Sequence, residues 1–385
     1  MGKHNSIFGQ ILQLISRYDF QKSVKKHGCE KHSKGFSSWS HFTAMQFAQL
    51  SRQDGLRGVE RAMASHKNLQ YHLGQKEVKR STLSYANRHR SHELFKDVFE
   101  SLLQKVLTKT PKHKFRFKND LYSIDASTID LCLGLHDWAK FRKTKGGIKL
   151  HVKLNHSGYI PEFVNMTTAD CHEVNELPNI PLKSGDVVTF DRGYTDYERY
   201  AFYCGKKIYF VTRLKTNARY RVVECRDVSK YENISSDQII EFTGPNSKTK
   251  CPYRLRRVRV KDPETGKYIV ILTNQMSWSP ATVGAVYKDR WQIEIFFKTM
   301  KQELKIKTFL GTSKNAIMIQ IWTAMISYLL LSYLKFLSRY NWTINSLMTV
   351  IPVLLFTRKC LWEWLNHPAG PPPPPPDNFC QMELI

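Results

Sequence analysis

The sequence predicts a mixed α/β protein, with an all-α region over residues 1–110 followed by an α/β domain over residues 118–340. Three observations support this prediction. Apolar residues recur at helical spacing through the first 110 positions, short β-prone runs ending in aspartate follow, and an amphipathic helix without Gly or Pro surrounds residue 294. The chain has 385 residues, of which 42% are hydrophobic, so we expect two or three domains with buried cores.

The charge balance is strongly basic. Lys and Arg number 59 against 33 Asp and Glu, which gives a formal net charge of +26 spread along the whole length. Such a field attracts polyanions, and nucleic acid is the first candidate. A membrane surface is disfavoured because the sequence has neither a lipidation signal nor a concentrated polybasic tail. The eight cysteines form no CxxC pair, and no signal-peptide pattern opens the chain, so we expect reduced thiols in a cytoplasmic protein.

Within residues 1–110, glycine-marked turns separate several helical runs. The last run, near residues 80–90, is polar and basic, and Ser81 or Thr82 is a suitable N-cap for it. Two short helices whose second member is basic are typical of a helix-turn-helix DNA reader. An ordinary basic helical bundle remains the alternative. On the first interpretation, DNA contacts are expected from Arg80, Asn87, Arg88 and Arg90.

After residue 118 the order of predicted elements becomes informative. A strand carries Asp125, an alternating hairpin follows, a second strand ends at Asp191, and then come a helix and another strand; the predicted ranges are 121–128, 147–164, 185–194, 196–203 and 208–214. This order is typical of a ribonuclease-H-like α/β domain. The two aspartates would then lie on adjacent strands.

The amphipathic helix presents a polar face beside its apolar stripe. At roughly 100° per residue, Tyr287, Arg290, Glu294 and Lys301 fall within about 60° of one another. A carboxylate flanked by two cations and a phenol could hold a phosphodiester and a metal together. The alternative is a solvated charged face of a surface helix.

The interval between Asp191 and Glu294 is too long for one helix and one strand. Its excess, about residues 217–275, is rich in β-forming residues and predicts a β-rich insertion. Four arginines there could form a basic strand face for phosphate contact, or only a solvated edge strand; they are Arg254, Arg256, Arg257 and Arg259.

These motifs together resemble one enzyme family. Tyr287-x2-Arg290-x3-Glu294-x6-Lys301 resembles the Y-R-E-K signature of bacterial insertion-sequence transposases, specifically the insertion sequence four family of DDE enzymes. The segments around Asp125 and Asp191 resemble the family's first and second acid motifs, and the segment from Lys149 resembles its basic hairpin.

The resemblance implies a DNA transposase that binds terminal inverted repeats and then cleaves and transfers DNA strands, by cut and paste. Asp125, Asp191 and Glu294 would hold two Mg²⁺ or Mn²⁺ ions, because carboxylates suit these cations. Phosphate contacts are expected from Tyr287, Arg290, Lys301 and Arg192, with Lys149 also on DNA and Trp278 stacking on a flipped base. Double-stranded DNA, both element end and target, would be the partner of a homodimer in a nucleoid-associated synaptic complex.

Two other functions remain open at this point. One is a nuclease of the same fold without strand transfer, and the other is a non-catalytic DNA-binding regulator derived from a transposase. The uncharged segment Ala316 to Leu334 predicts a buried core helix rather than a membrane span. Residues 341–366 predict a helical segment, and the Pro-rich residues 367–385 predict a disordered tail.

Overall fold

The protein is described from a computed structural model. The described residues are 5–31, 33, 35–66, 73–75, 77–132, 137–142, 145–262, 265–304, 306 and 309–369. They divide into two compact units: residues 1–102 with 326–385, and residues 103–325. The predicted boundaries at 110 and 340 therefore differ from the observed ones, because the C-terminal helices join the N-terminal helical unit. Most of the predicted Pro-rich tail lies outside the described residues.

The first unit is helical. Its elements are α1 (Ile7–Leu12), α2 (Arg17–Lys26), α3 (Ser38–Leu50), α4 (Leu56–Ser65), α5 (Arg80–His89), α6 (Glu93–Leu107), the end of α11 (Lys314–Leu337), α12 (Ile344–Leu354) and α13 (Leu361–Asn366). Backbone bonds from Ile7 and Phe8 to the carbonyls of Thr357 and Leu355 join the two ends of the chain. These bonds explain why the C-terminal segment belongs to this unit.

Serine caps set the start of three of these helices. Ser6, Ser16 and Ser37 each accept a backbone N–H three residues ahead, which satisfies a donor that the first turn leaves unpaired. Helix α3 is buried along its whole length and forms the centre of the unit. The cap predicted for α5 was wrong, since its N-cap residue is Lys79 and no side chain caps it.

The second unit contains one ten-stranded sheet. Its strands are β1 (Leu121–Leu131), β2 (Lys140–Arg142), β3 (Lys145–Asn155), β4 (Ile160–Thr168), β5 (Val187–Thr189), β6 (Tyr209–Arg213), β7 (Tyr220–Arg226), β8 (Ile234–Phe242), β9 (Leu255–Lys261) and β10 (Tyr268–Thr273). Two further helices lie between strands, α7 (Tyr197–Gly205) and α8 (Pro245–Lys250). The predicted strand, hairpin, strand, helix, strand order is present.

The sheet changes character along its width. The strand order is β2-β3-β1-β5-β6-β10-β9-β8-β7, with β4 paired to β3. Strands β1, β5 and β6 run parallel at the centre, and the remaining pairs are antiparallel. The strands predicted for residues 217–275 are present. They extend the same sheet through the pairing of β10 with β6 instead of forming a separate layer.

The helix predicted around residue 294 is broken into three pieces. Helix α9 (Pro280–Asp289) ends before Arg290, α10 (Gln292–Lys298) follows, and a π-helical turn spans Thr299–Glu303. The prediction of one continuous helix was therefore wrong. A π turn widens the helical repeat, so the uniform 100° spacing that placed Lys301 beside Glu294 does not hold there.

Helix α11 is long and apolar enough to cross a membrane by length and composition, but 94% of its most apolar window is buried in the protein. This burial fits a core helix, since core helices can be apolar all round.

Candidate functional site

Two of the predicted acids lie on neighbouring parallel strands. Asp125 is on β1, the strand between β3 and β5, and Asp191 lies two residues after the last residue of the short strand β5. Ser123 and Thr189 are paired in the register of these strands, so each acid follows this pair by two residues. Successive side chains alternate between faces of a strand. The sheet therefore carries both acids toward one edge and one side.

Arg290 connects the first acid to the third. Its Nη1 lies 3.5 Å from Asp125 Oδ2, and its Nη2 lies 2.6 Å from Glu294 Oε1. The side chains of Arg290, Asp125 and Glu294 are 13%, 19% and 33% exposed. A residue on β1 and a residue on α10 are thus brought together by one guanidinium. The Nε of Arg290 is buried without a partner among the described residues.

The electrostatics of Asp125 are unusual for an aspartate. Burial, with the negative charges of Asp191 and Glu173, raises the pKa of its carboxyl to about 7, although the N–H of Ala126 and the Arg290 guanidinium oppose the shift. Three carboxylates therefore share one field. Such a perturbed pKa is typical of functional sites.

Glu173 was missed by sequence reasoning. It begins the 3₁₀ segment Glu173–Asn179 and lies 3.8 Å from the ammonium of Lys149. Burial raises its pKa, and Asp191 raises it again. No motif marks this residue, because only the folded connection after β4 brings it to the acids.

Two tyrosines border the acids. The hydroxyl of Tyr194 is buried without a partner among the described residues. Burial raises its pKa, and Asp125, Glu173 and Asp191 add to the shift. Burial also raises the pKa of Tyr287, while Arg290 and Arg213 oppose the shift. The phenol of Tyr287 thus belongs to the same cluster.

The donor set suits a hard divalent cation by its chemistry, because it consists of carboxylates, and burial raises the pKa of one of them, Asp125. Within the described ranges, no three His, Cys, Asp or Glu side chains are grouped closely enough to hold a metal ion together. Arg290 is the cation that the acids share in this geometry.

The other predicted phosphate contacts divide into two groups. Arg192 is exposed directly after Asp191, and Lys301 is partly exposed in the π turn. Lys149 donates to the carbonyl of Cys171 at 2.7 Å, and its side chain is 13% exposed. Its ammonium therefore contacts the protein beside the acids, at Cys171 and Glu173.

The basic strand face predicted for the four arginines is not one face. Arg256 is 1% exposed and forms a bidentate ion pair with Asp237 at 2.8 and 2.6 Å, so its predicted DNA contact was wrong. Strand alternation explains this, since it places Arg256 on the same face of β9 as the buried Val258 and places Arg257 and Arg259 on the other face. Arg257 is half-buried on Gln238, while Arg254 and Arg259 are exposed.

The aromatic and N-terminal predictions also need correction in part. Trp278 is half-buried and stacks on Phe117 with ring centroids 4.1 Å apart, so one of its faces already has a partner. Asn87 is 2% exposed and bonds to His41 at 2.7 Å, so it does not lie on the exposed face predicted for it. Arg90 donates to the carbonyl of Ser37.

Of the basic residues predicted on helix α5, Arg80 and Arg88 are exposed. Of the four DNA contacts predicted in this region, Arg80 and Arg88 are therefore the two that lie on the exposed surface.

Comparisons with known proteins agree with this geometry. A family model described as a transposase DDE domain matches residues 116–330. The chain belongs to the DDE transposase family. A second model, described as a domain of unknown function (DUF4372), matches residues 3–76 of the transposase.

Curated relatives carry the same name. Transposase y4zB of Sinorhizobium fredii is 33% identical over 287 residues, covering 73% of this chain and 77% of the relative. The transposase for insertion sequence element IS5377 of Geobacillus stearothermophilus is 25% identical over 335 residues, covering 87% and 86%. The protein described here is thus a DNA transposase. A piggyBac transposase synaptic complex with hairpin DNA is similar at a TM-score of 0.42 and 12% identity, covering 91% of this chain and 78% of that chain.

Proposed function

We propose that this transposase binds the terminal inverted repeats of its insertion sequence and catalyses metal-dependent strand cleavage and strand transfer by cut and paste. Its catalytic acids are Asp125, Asp191 and Glu294. The observation that carries this proposal is the Arg290 bridge, because it joins acids from β1 and α10 beside the strand end that bears Asp191. The order β4-β3-β1-β5-β6, antiparallel and then parallel, supports a ribonuclease-H-like domain.

The three carboxylates are the residues that would hold two Mg²⁺ or Mn²⁺ ions. Ions held by these residues would supply activation of a water or 3′ hydroxyl and stabilisation of the leaving oxygen. The negative charges of Asp191 and Glu173 beside the buried Asp125 favour this assignment, because together with burial they raise the pKa of the Asp125 carboxyl.

Arg290 has a second role in the proposal. Its guanidinium is shared by Asp125 and Glu294, so it must leave at least one acid before it can bind a phosphate in the bidentate manner that arginine favours. Tyr287, Lys301 and Arg192 would complete the phosphate contacts. Arg290 is thus both the counter-ion of the free site and a phosphate ligand of the loaded one.

Recognition of the element end is assigned to the helical unit through Arg80 and Arg88, which are exposed on α5. The net charge of +26 supports contact with a long stretch of duplex, both element end and target. A homodimer that holds two ends in the bacterial nucleoid is the assembly we propose for strand transfer.

The proposal is tested with labelled duplexes taken from the ends of the insertion sequence that encodes this chain. With Mg²⁺, the wild type should yield cleaved and joined products. Asp125→Asn, Asp191→Asn and Glu294→Gln should each lower cleavage by at least about 10³-fold, because each removes a metal ligand, while binding of the ends survives.

The matched control is Asp186→Asn. Asp186 is a buried acid that immediately precedes β5, at the end of the strand away from Asp191. This variant should cleave like the wild type. Full activity in any one of the three acid variants would remove that residue from the site. Cleaved products without joined ones would instead indicate a nuclease.

A further inference from the structure

A chain of hydrogen bonds lies in the interior, next to the residues of the acid site. Thr189 Oγ1 and Ser123 Oγ are 2.8 Å apart, Ser123 Oγ and His156 Nε2 are 2.7 Å apart, and His156 Nδ1 and Asp289 Oδ2 are 2.6 Å apart. Lys114 Nζ completes the chain 2.6 Å from Asp289 Oδ1. The chain therefore links β5, β1, the residue after β3 and the last residue of α9.

The arrangement of Ser123, His156 and Asp289 has the order of a serine nucleophile with its base and orienting acid. A hydrolytic role does not follow, because Ser123 is 0% exposed on a central strand and His156 is 2% exposed. No substrate can reach this hydroxyl without opening the sheet. Its function must be exerted on the neighbouring residues.

Those neighbours are the proposed catalytic elements. Ser123 precedes Asp125 by two residues on β1, and Thr189 precedes Asp191 by two residues. Asp289 directly precedes Arg290. Thr189, Ser123 and Asp289 of the hydrogen-bonded chain therefore each lie within two residues of a proposed catalytic acid or of the bridging arginine.

Asp289 occupies a position that is unfavourable in itself. A negative charge at a helix C-terminus opposes the helix dipole, and Asp289 is 4% exposed. Burial alone would raise the pKa of Asp289, yet hydrogen bonds from His156 and Lys114 lower it below its ordinary value. The hydroxyl of Tyr159 also lies 3.4 Å away. A buried carboxylate is held at the end of α9 by several donors.

We propose that His156 is a positioning residue of the transposase, which fixes the end of α9, and through it Arg290, against the two strands that carry Asp125 and Asp191. This inference rests on the proposed function, because it assumes that the Arg290 bridge belongs to the catalytic site. In this proposal His156, which is buried, contacts neither DNA nor the three catalytic acids. It acts through its hydrogen bond to Asp289.

The test is a double-mutant cycle on single-turnover cleavage of the labelled ends. His156→Ala should slow cleavage about 10- to 100-fold in the wild-type background, because a small displacement of a catalytic group is costly. In an Arg290→Lys background the same substitution should change the rate less than about twofold, since the group it positions is already altered. His156→Asn, which keeps a δ donor for Asp289, should recover part of the lost rate.

Asp237→Asn is the matched control. It removes the charge of another buried carboxylate of the same sheet, 3% exposed and paired with Arg256. Any loss of rate it causes by destabilising the fold should be the same factor in both backgrounds. An equal factor for His156→Ala in both backgrounds, or no loss in the wild type, overturns the inference.

Hydrogen exchange of the free protein gives a second measurement that needs neither DNA nor metal. His156→Ala should speed amide exchange in peptides covering residues 285–298, whereas Asp237→Asn should speed it in β8 and β9. Unchanged exchange over 285–298 would overturn the inference even if the acids proved catalytic. Conversely, normal cleavage by Asp125→Asn would refute the proposed function and leave the exchange result standing.

Discussion

Two arginines of the same unit can be compared directly, Arg256, which is buried, and Arg290, which is half-buried. Arg256 uses all three of its side-chain nitrogens: two on Asp237, and the third on backbone carbonyls that include that of Trp278 at 2.6 Å. Arg290 has one short contact, to Glu294, one at 3.5 Å to Asp125, and a buried Nε without a partner among the described residues. The sequence predicted DNA contacts for both arginines.

The difference lies in how fully each site is satisfied. The Arg256 site pairs one cation with one carboxylate, and each side-chain nitrogen of Arg256 has a hydrogen-bond acceptor. Buried ion pairs require such additional hydrogen bonds. The Arg290 site joins Asp125 and Glu294 through one guanidinium, and the negative charges of Asp191 and Glu173 act on Asp125 as well. A buried group left incompletely paired carries a cost that a purely structural site has no reason to retain. We therefore take Arg256 as structural and Arg290 as functional.

Alanine at each arginine should separate these roles, with the largest effects expected here. Arg256→Ala leaves Asp237 buried and unpaired, so it should lower the free energy of unfolding by about 3–5 kcal/mol with cleavage per folded molecule unchanged. Arg290→Ala should lower cleavage by about 10²–10³-fold, as loss of a charge-stabilising donor does, at a stability cost of about 1 kcal/mol. Denaturant titration and single-turnover cleavage measure the two.

The comparison would collapse if the two variants behaved alike. A loss of cleavage per folded molecule in Arg256→Ala, or an Arg290→Ala variant that is strongly destabilised but keeps wild-type cleavage per folded molecule, would contradict the assignment.

Replacing Asp125 tests the same difference between the two sites through the pH dependence of stability. Burial raises the pKa of this carboxyl from 3.8 to about 7, so between these values the folded state holds a proton that the unfolded state has released. Wild-type stability should therefore fall as pH rises through this window. Asp125→Asn lacks this penalty and should be more stable than the wild type by up to about 4 kcal/mol at pH 8 and by almost nothing at pH 4.

Asp97 in the helical unit provides a control of opposite sign. Burial would raise the pKa of its carboxyl, but hydrogen bonds from Lys26 and His27 lower it below the ordinary value. Its stabilising contribution is present above its unfolded pKa and is lost as pH falls, so Asp97→Asn should be less stable than the wild type at pH 8. Thermal unfolding across pH measures both variants; an Asp125→Asn variant less stable than the wild type at pH 8 would contradict the electrostatic picture.

The order of strands and acids could be predicted because it rests on local patterns. Alternation marks β3 and β4, and β-prone runs ending in Asp125 and Asp191 mark β1 and β5. The helix break at Arg290 and the π turn at Thr299–Glu303 could not be predicted, since the sequence has no Gly or Pro at either place. Both depend on how the segment packs against the sheet.

The burial of polar residues is the second feature that sequence periodicity did not predict correctly. Asn87 and Arg256 are polar, and polarity predicts exposure, yet each found a specific partner inside the fold, His41 and Asp237. Glu173 and His156 were overlooked for the converse reason: their roles come from contacts across the sheet, which leave no spacing in the sequence. Tertiary pairing decides such residues.

The last and smallest test uses two tyrosines that differ only in their surroundings. Tyr194 and Tyr203 are each 1% exposed, and the hydroxyl of each lacks a partner among the described residues. Carboxylates of Asp125, Glu173 and Asp191 act on Tyr194, whereas Arg199 is the main charge near Tyr203. Removing an unpaired buried hydroxyl should change stability by less than about 1 kcal/mol in either Phe variant. Only Tyr194→Phe should slow cleavage, by several-fold, because only its hydroxyl faces the acids that the proposal makes catalytic. Equal cleavage rates for the two variants would reduce Tyr194 to a core residue and would confine the functional side of the comparison to Arg290 and its acids.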